Sequence, residues 1–286
     1  MYFNNTKEII QELNRAGQSH KPTLFIISFN TQEGFLYPLN KINNQNILYD
    51  FNGISNIPAH YTPSSKEFYW KPHYIPFKDY QQSFNIVTQN LLLGNSFLTN
   101  LTCATPIECN LSLKEIFYRA NAKYKILNDK KESAEHATIV DLIRNDLSII
   151  ADKVTVSKYR YIDTITTHQG KLLQVSSEIK GILPENYLNT LGDIIFKLLP
   201  AGSISGAPKR KTVKIITEAE NYDRGFYTGI MGIYDGKKVD SAVMIRFIEQ
   251  NAQGKYLFKS GGGITAKSKI HNEYNEIKQK IYVSIY

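Results

Sequence analysis

The chain has 286 residues, 42% hydrophobic and 21% charged, with a formal net charge of +8, which is ordinary composition for a globular protein able to bury a sizeable core. No apolar run approaches the ~20 residues of a membrane span, and two cysteines, Cys103 and Cys109, are too few for a disulfide framework, so a cytoplasmic protein with packing cysteines is expected. Lys and Arg are spread along the chain, dense only at Lys209 to Lys211, and no zinc-ligand spacing occurs, so nucleic-acid binding is not indicated and the charge suits attraction of a small anion.

In chain order, Ile9, Ile10 and Leu13 recur at helical spacing, predicting a helix over 6–17 rather than a secretion signal. LFIISF (24–29) reads as a strand. The polar stretch 52–78, with Pro58, Pro63, Pro72 and Pro76, reads as irregular connection. A helix follows over 78–93 and ends at Gly94. SFLTNLTCATPIE alternates like a strand, and SLKEIFYRANAKY returns to helical period. A helix carrying Glu132 and Glu135 is expected to bury Ile139, Val140, Leu142 and Ile143. Two strands, VTVSKYRYI and KLLQVSSEIKGIL, precede a helix over 186–199. Residues 226–248 read as a hairpin turning at Asp235-Gly236. KYLFKSGGGIT is a strand, and a last helix spans 268–284. Without a βαβ rhythm or internal repeat, this order implies a single α+β domain over 1–286.

Chemistry-bearing residues fall at four places. Two Glu-x-x-Glu pairs, Glu132 with Glu135 and Glu273 with Glu276, have the spacing of one helical face. Paired carboxylates suit a hard cation such as Mg²⁺; the plain alternative is two solvated helix faces. PAGSISGAPK (200–209) is a small-residue loop opening a helix, with Pro208 in the first turn, where N–H groups can meet an anion. Its Ser203 and Ser205 can add hydroxyl donors, and its spacing is not that of a P-loop. Gly261, Gly262 and Gly263 end a strand, permitting positive φ and close backbone approach to a ligand, or simply a bend. Arg246 is a cation on an apolar strand, expected to face a carboxylate. Lys280 follows Glu276 by four residues, to hold a substrate anion or make a helix-face ion pair.

Taken together, KESAEHATIVDLIRNDL, LLPAGSISGAPKRKTVKII, RGFYTGIMG, VMIRF and SGGGIT…NEYNEIKQK resemble, in order, the signature blocks of the chorismate-utilising enzymes, over about residue 84 to the end. SFLTNLT, QVSSEI, LLPAGSISGAPK and DSAVMIRF resemble most the short form of aminodeoxychorismate synthase component I, with the first ~80 residues a reduced version of the family's N-terminal region. The resemblance implies large antiparallel sheets in a sandwich flanked by helices. It implies Mg²⁺ held by Glu135 and Glu276, with Glu132 and Glu273 as supporting acids. Ser203, Tyr227, Arg246, Lys280 and the backbone of Gly261 to Gly263 match positions that grip the carboxylates of chorismate. The implied reaction is amination of chorismate to 4-amino-4-deoxychorismate with ammonia from a glutamine amidotransferase subunit. The sister reading is anthranilate synthase component I.

The family pattern also has a segment of roughly 40 residues with a Ser-Pro-Glu motif and a Pro-Ile-Lys-Gly-Thr motif, the latter carrying the nucleophilic Lys of aminodeoxychorismate synthases. Neither motif occurs here. Glu178-Ile179-Lys180-Gly181 lies after the AEH block, in the wrong order, so Lys180 is expected to be a plain strand residue. Either the chain is a non-catalytic homologue or a segment near 126–128 is omitted, which predicts a Cα separation well above 3.8 Å between Tyr124 and Lys130. Gln174 stands where much of the family has His, so that position cannot titrate near neutrality.

Overall fold

A computed structural model of the chain describes residues 1–51, 53–58, 66–120, 132–167 and 170–283, with the side chains of 132–138 and 163–174 outside the description. The backbone divides into two compact units, each assembled from three chain segments. The first comprises 1–62, 183–201 and 224–245, and the second 63–182, 202–223 and 246–286. Both mix helices with antiparallel sheet, the α+β class that the sequence implies. Among the described residues no helix is long and apolar enough to cross a membrane.

In the first unit, helix Thr6–Gln18 starts where the Asn5 side chain accepts the Lys7 N–H at 2.9 Å, satisfying one of the orphan donors of a helix start. Its Ile9, Leu13 and Ala16 point to one side and are buried. They pack with Leu191 and Ile195 of helix Leu191–Leu198 onto a five-stranded antiparallel sheet. The strand order is Tyr2–Phe3, Gly34–Pro38, Thr23–Ile27, Ile230–Tyr234, Val239–Val243. The hairpin expected around Asp235-Gly236 is its last pair: Asp235 Oδ1 accepts the N–H of Lys237 and Lys238, and Gly236 has φ 99°.

In the second unit, the long strand Leu98–Cys109 is central to a sheet ordered Gly206–Ala207, Leu98–Cys109, Tyr256–Ile264, Phe247–Gln250. Trp70–Pro72 pairs with the far end of Leu98–Cys109, so the proline-rich stretch read as irregular contributes a strand. Helix Phe77–Leu92 ends at Gly94, whose φ of 70° lets the N–H of Gly94 and Asn95 fold back to Leu91 and Asn90. Its Tyr80, Phe84, Val87 and Leu91 pack with Leu101, Cys103, Ile215, Ile264 and Ile277, joining it to helices Lys209–Ala219 and Ile270–Gln279 on one face of the sheet. A capping box between Ser112 and Glu115 sets helix Leu113–Arg119. Helix Glu132–Ser148 and the long hairpin Asp152–Thr167 with Gly170–Ile182 complete the unit.

The last helix stops at Gln279 rather than near 284. The chain there leaves the helix so that Ile281 can join Ile107 and Phe258 in a separate apolar cluster. Burial outweighs continuing a helical period.

Candidate functional site

Strand Tyr256–Ile264 and helix Ile270–Gln279 position most of the residues singled out from the sequence. Gly261, Gly262 and Gly263 pair with Thr102, Leu101 and Asn100. The Thr102 N–H is taken by Glu220 Oε1 at 2.8 Å, so Thr102 and Gly261 form a pair without ladder hydrogen bonds. Antiparallel partners alternate between the two kinds. Gly261 therefore turns its N–H and C=O away from Thr102, and Gly263, two residues on, does the same. The adjoining strand Phe247–Gln250 pairs only with residues 256–259. The amides of Gly261 and Gly263 thus project at a sheet edge that no strand covers among the described residues.

Lys280 lies at that edge. Its Nζ donates to the Gly261 carbonyl at 3.1 Å and to Glu276 Oε1 at 2.6 Å. Arg246 immediately precedes Phe247, whose pairing with Lys259 begins the neighbouring strand, so it stands at the same edge. The sequence reading placed it within a strand; instead it has φ 54°, and its guanidinium lies 5.3 Å above the Tyr282 ring. Left-handed backbone redirects the side chain that strand alternation would have fixed.

The glycines also differ from expectation, since none of the three has positive φ among the residues with that geometry. They are extended, and close packing explains the first two. A Cβ on Gly261 would lie 2.5 Å from Thr102 Cγ2 and 2.9 Å from the Leu101 carbonyl. A Cβ on Gly262 would point the other way, 3.4 Å from Glu276 Oε1 and 3.7 Å from Lys280 Nζ.

Glu273 shares the helix and is 1% exposed, on the face that also buries Ile277. Burying a carboxylate is costly without compensating charge or hydrogen bonds. Near it, the Tyr80 hydroxyl is buried with no hydrogen-bond partner among the described protein atoms. Burial, then the charges of Cys103, Glu273 and Glu276, pushes the Tyr80 phenol above its ordinary range. The buried Glu273 carboxylate and the Glu276 carboxylate held by Lys280 are oxygen donors of the kind a hard cation takes. Among the described residues no group of three or more His, Cys, Asp or Glu converges. Glu132 and Glu135 lie on helix Glu132–Ser148, but their side chains fall outside the described residues, as does that of Gln174.

Ser203 sits elsewhere in the second unit. The loop expected to open a helix instead forms a short helix, Gly202–Ser205, and the two-residue strand Gly206–Ala207. Pro208 then precedes helix Lys209–Ala219 at its N-cap rather than lying in its first turn. The Lys209 ammonium is 3.0 Å from Asp146 Oδ1, and a Cβ on Gly202 would be 3.0 Å from Asp146 Oδ2. Asp146 therefore ties the acidic helix to this loop, a contact the sequence reading did not single out; its signal was an acid on the helix and a lysine closing the small-residue run. Of the apolar residues expected on that helix, Val140 is buried and Ile139, Leu142 and Ile143 are half-buried.

Tyr227 belongs to the first unit and is 3% exposed. Its N–H donates to the Arg224 carbonyl, and Thr228, at φ 61°, is held by the Met244 carbonyl and by Arg224 Nη1 at 3.3 Å. Lys180 is an exposed residue of strand Gly170–Ile182, 2.8 Å from Glu178, as expected for an ordinary strand residue. The interval Tyr124 to Lys130 lies outside the described residues.

A family model for the chorismate binding enzyme matches residues 119–285. An "uncharacterized PabA-like protein" of Haemophilus influenzae is 42% identical, covering 98% of this chain and 97% of its own length. The anthranilate synthase component 1 of Archaeoglobus fulgidus is 32% identical over 68% of this chain, which spans 44% of that relative. The Haemophilus alignment runs over 321 positions against 286 residues here, so at least 35 aligned positions have no residue in this chain. Among solved structures, anthranilate synthase component I from Streptococcus pneumoniae superposes with a TM-score of 0.62 at 25% identity, covering 79% of this chain and 62% of that one. The isochorismate synthase DhbC of Bacillus anthracis, at 15% identity and TM-score 0.64, covers 98% of this chain and 90% of its own, and shares the fold.

Proposed function

Because the chain belongs to the chorismate binding enzyme family, we propose that it aminates chorismate to 4-amino-4-deoxychorismate, with Mg²⁺ as cofactor and ammonia supplied by a glutamine amidotransferase subunit. The observation that carries this reading is the open sheet edge at Gly261 and Gly263, where Lys280 joins the Gly261 carbonyl to Glu276 and next to which Arg246 precedes the adjoining strand. Chorismate is a dianion. Two cations and two backbone donors supply its counter-charge, while an acid-lined site alone would repel it.

Each residue then has a distinct task. Arg246, lifted off its strand by left-handed backbone and braced on Tyr282, presents its planar fork to one carboxylate. Lys280 bridges strand and helix, so substrate binding at Gly261 is felt at Glu276. Glu273 and Glu276, joined by Glu132 and Glu135 of the other acidic helix, would hold the cation. When bound, Mg²⁺ would act as a Lewis acid on the ring carboxylate and assist departure of the 4-hydroxyl. Ser203 and Tyr227 are assigned to substrate contact by resemblance. Two free thiols suit a cytoplasmic setting.

The PabA-like relative spans nearly the whole chain, and this favours the aminodeoxychorismate product. The anthranilate synthases, which align with less than half of their own length, support the sister reading. Incubating the full-length protein with chorismate, Mg²⁺ and ammonium separates the readings. We expect 4-amino-4-deoxychorismate; anthranilate would transfer the chain to the sister activity. No consumption of chorismate would make it a non-catalytic homologue, as a true loss of the roughly 35 aligned positions would imply. Glu135→Ala retaining full, Mg²⁺-dependent activity would remove that residue from the metal site.

A further inference from the structure

We propose that the Tyr80 hydroxyl is a positioning donor for the Glu273 carboxylate, engaged when a divalent cation binds; this inference rests on the cation reading above. Tyr80 is 1% exposed and stacks obliquely on Tyr274, ring centroids 5.5 Å apart, in the helix that carries Glu273. It packs in the same cluster as Ile277, one helical turn beyond Glu273 on the same buried face. The phenol is thus delivered to the layer between helices Phe77–Leu92 and Ile270–Gln279 where the buried carboxylate lies.

Two other phenols, the half-buried Tyr274 and the buried Tyr234, are hydrogen-bonded. Tyr274 donates to the Ile75 carbonyl at 2.6 Å, and Tyr234 to the Gly236 carbonyl at 2.9 Å. Tyr80 alone of these three has no partner among the described protein atoms. A phenylalanine would fill the same apolar space without the penalty of an unmet buried donor. An O–H retained there, buried beside the helix that carries Glu273 and Glu276, suits a role in a state with different carboxylate positions. Carboxylates that ligate a metal are commonly oriented by a hydrogen bond from behind, and losing that bond weakens metal binding by about 10–100-fold. Tyr80 does not touch substrate or cation; it acts through Glu273.

The test is a magnesium titration by calorimetry of the full-length wild type and Tyr80→Phe, with thermal melts of both without metal. We expect Tyr80→Phe to raise the Mg²⁺ Kd roughly tenfold while its metal-free melting temperature stays equal or rises. Equal Mg²⁺ Kd values for the two proteins, whether or not the variant melts lower, would assign the hydroxyl a structural part and overturn the inference alone. Absence of Mg²⁺ binding to the wild type would overturn the cation reading and this inference with it.

Discussion

The ammonium of Lys280 lies 2.6 Å from Glu276 Oε1 and 3.1 Å from the Gly261 carbonyl, so one side chain joins an acidic helix to a glycine strand. In the proposed enzyme this cation balances Glu276 and presents charge to the substrate. Lys280→Met removes both contacts. A charge-assisted hydrogen bond is worth about 1.5–3 kcal/mol, so KM for chorismate should rise roughly 10–100-fold. Both groups are partly exposed, and the denaturant midpoint should therefore move little. An unchanged KM would take Lys280 away from the substrate edge.

Adjacent glycines should fail in opposite ways. Gly261→Ala places a methyl 2.5 Å from Thr102 Cγ2 and 2.9 Å from the Leu101 carbonyl, an overpacking that costs about 1–3 kcal/mol. Gly262→Ala meets only ordinary contacts, at 3.4 Å from Glu276 Oε1 and 3.7 Å from Lys280 Nζ. Its methyl enters the space beside the proposed ligand and substrate groups. We expect Gly261→Ala to lower the urea midpoint, and Gly262→Ala to keep it while losing most activity. Equal stability losses in both would show that this strand serves packing alone.

Asp146 and Lys209 offer a third test. Their ion pair at 3.0 Å is less than a quarter exposed on either side, so solvent screens it less than a surface pair. Asp146→Ala weakens the counter-charge of Lys209 and loosens the small-residue loop against its helix. The expected loss is about 1–2 kcal/mol in urea unfolding. Asp146→Asn, which keeps a hydrogen-bond acceptor, should lose less. If Ser203 meets substrate, both variants should also raise KM.

Local periodicity made the helices legible, because Ile9 and Leu13, or Tyr80, Phe84, Val87 and Leu91, mark one buried face at fixed spacing. The strand Trp70–Pro72 was hidden, since its partner Cys109 is far along the chain and it ends on a proline within a proline-rich stretch. Composition also suggested that Gly261 to Gly263 serve positive φ. The cause is instead the approach of Thr102 on one face and Glu276 on the other, and pairing register is not written in a glycine run. Arg246 was misplaced for a related reason: a single left-handed residue between strands leaves no periodic trace. Lys280 beside Glu276 was readable from its i, i+4 spacing. Asp146 with Lys209 was not, because the pair joins elements 63 residues apart.

Cys103 supplies a prediction about alkaline stability. Burial, with a smaller push from the Glu220 charge, raises its thiol to about 12 from an ordinary 9.0. The unfolded chain therefore releases this proton first. The stabilising contribution is fully present below pH 9 and is lost as pH rises from about 9 to about 12. Each pH unit in that window costs about 1.4 kcal/mol. The phenol of Tyr80, also raised, acts in the same direction from pH ~10 upward. Urea midpoints of the wild type should thus be flat from pH 7 to 8.5 and fall steeply by pH 10.5. Cys103→Ala should start lower, from the lost side chain, and decline less over the same interval. Parallel declines would mean that Cys103 ionises as readily folded as unfolded. Alkylation at pH 8 gives an independent check, since Cys103 is 5% exposed and Cys109 is only half-buried: the native protein should label at Cys109 and acquire the second label only on unfolding.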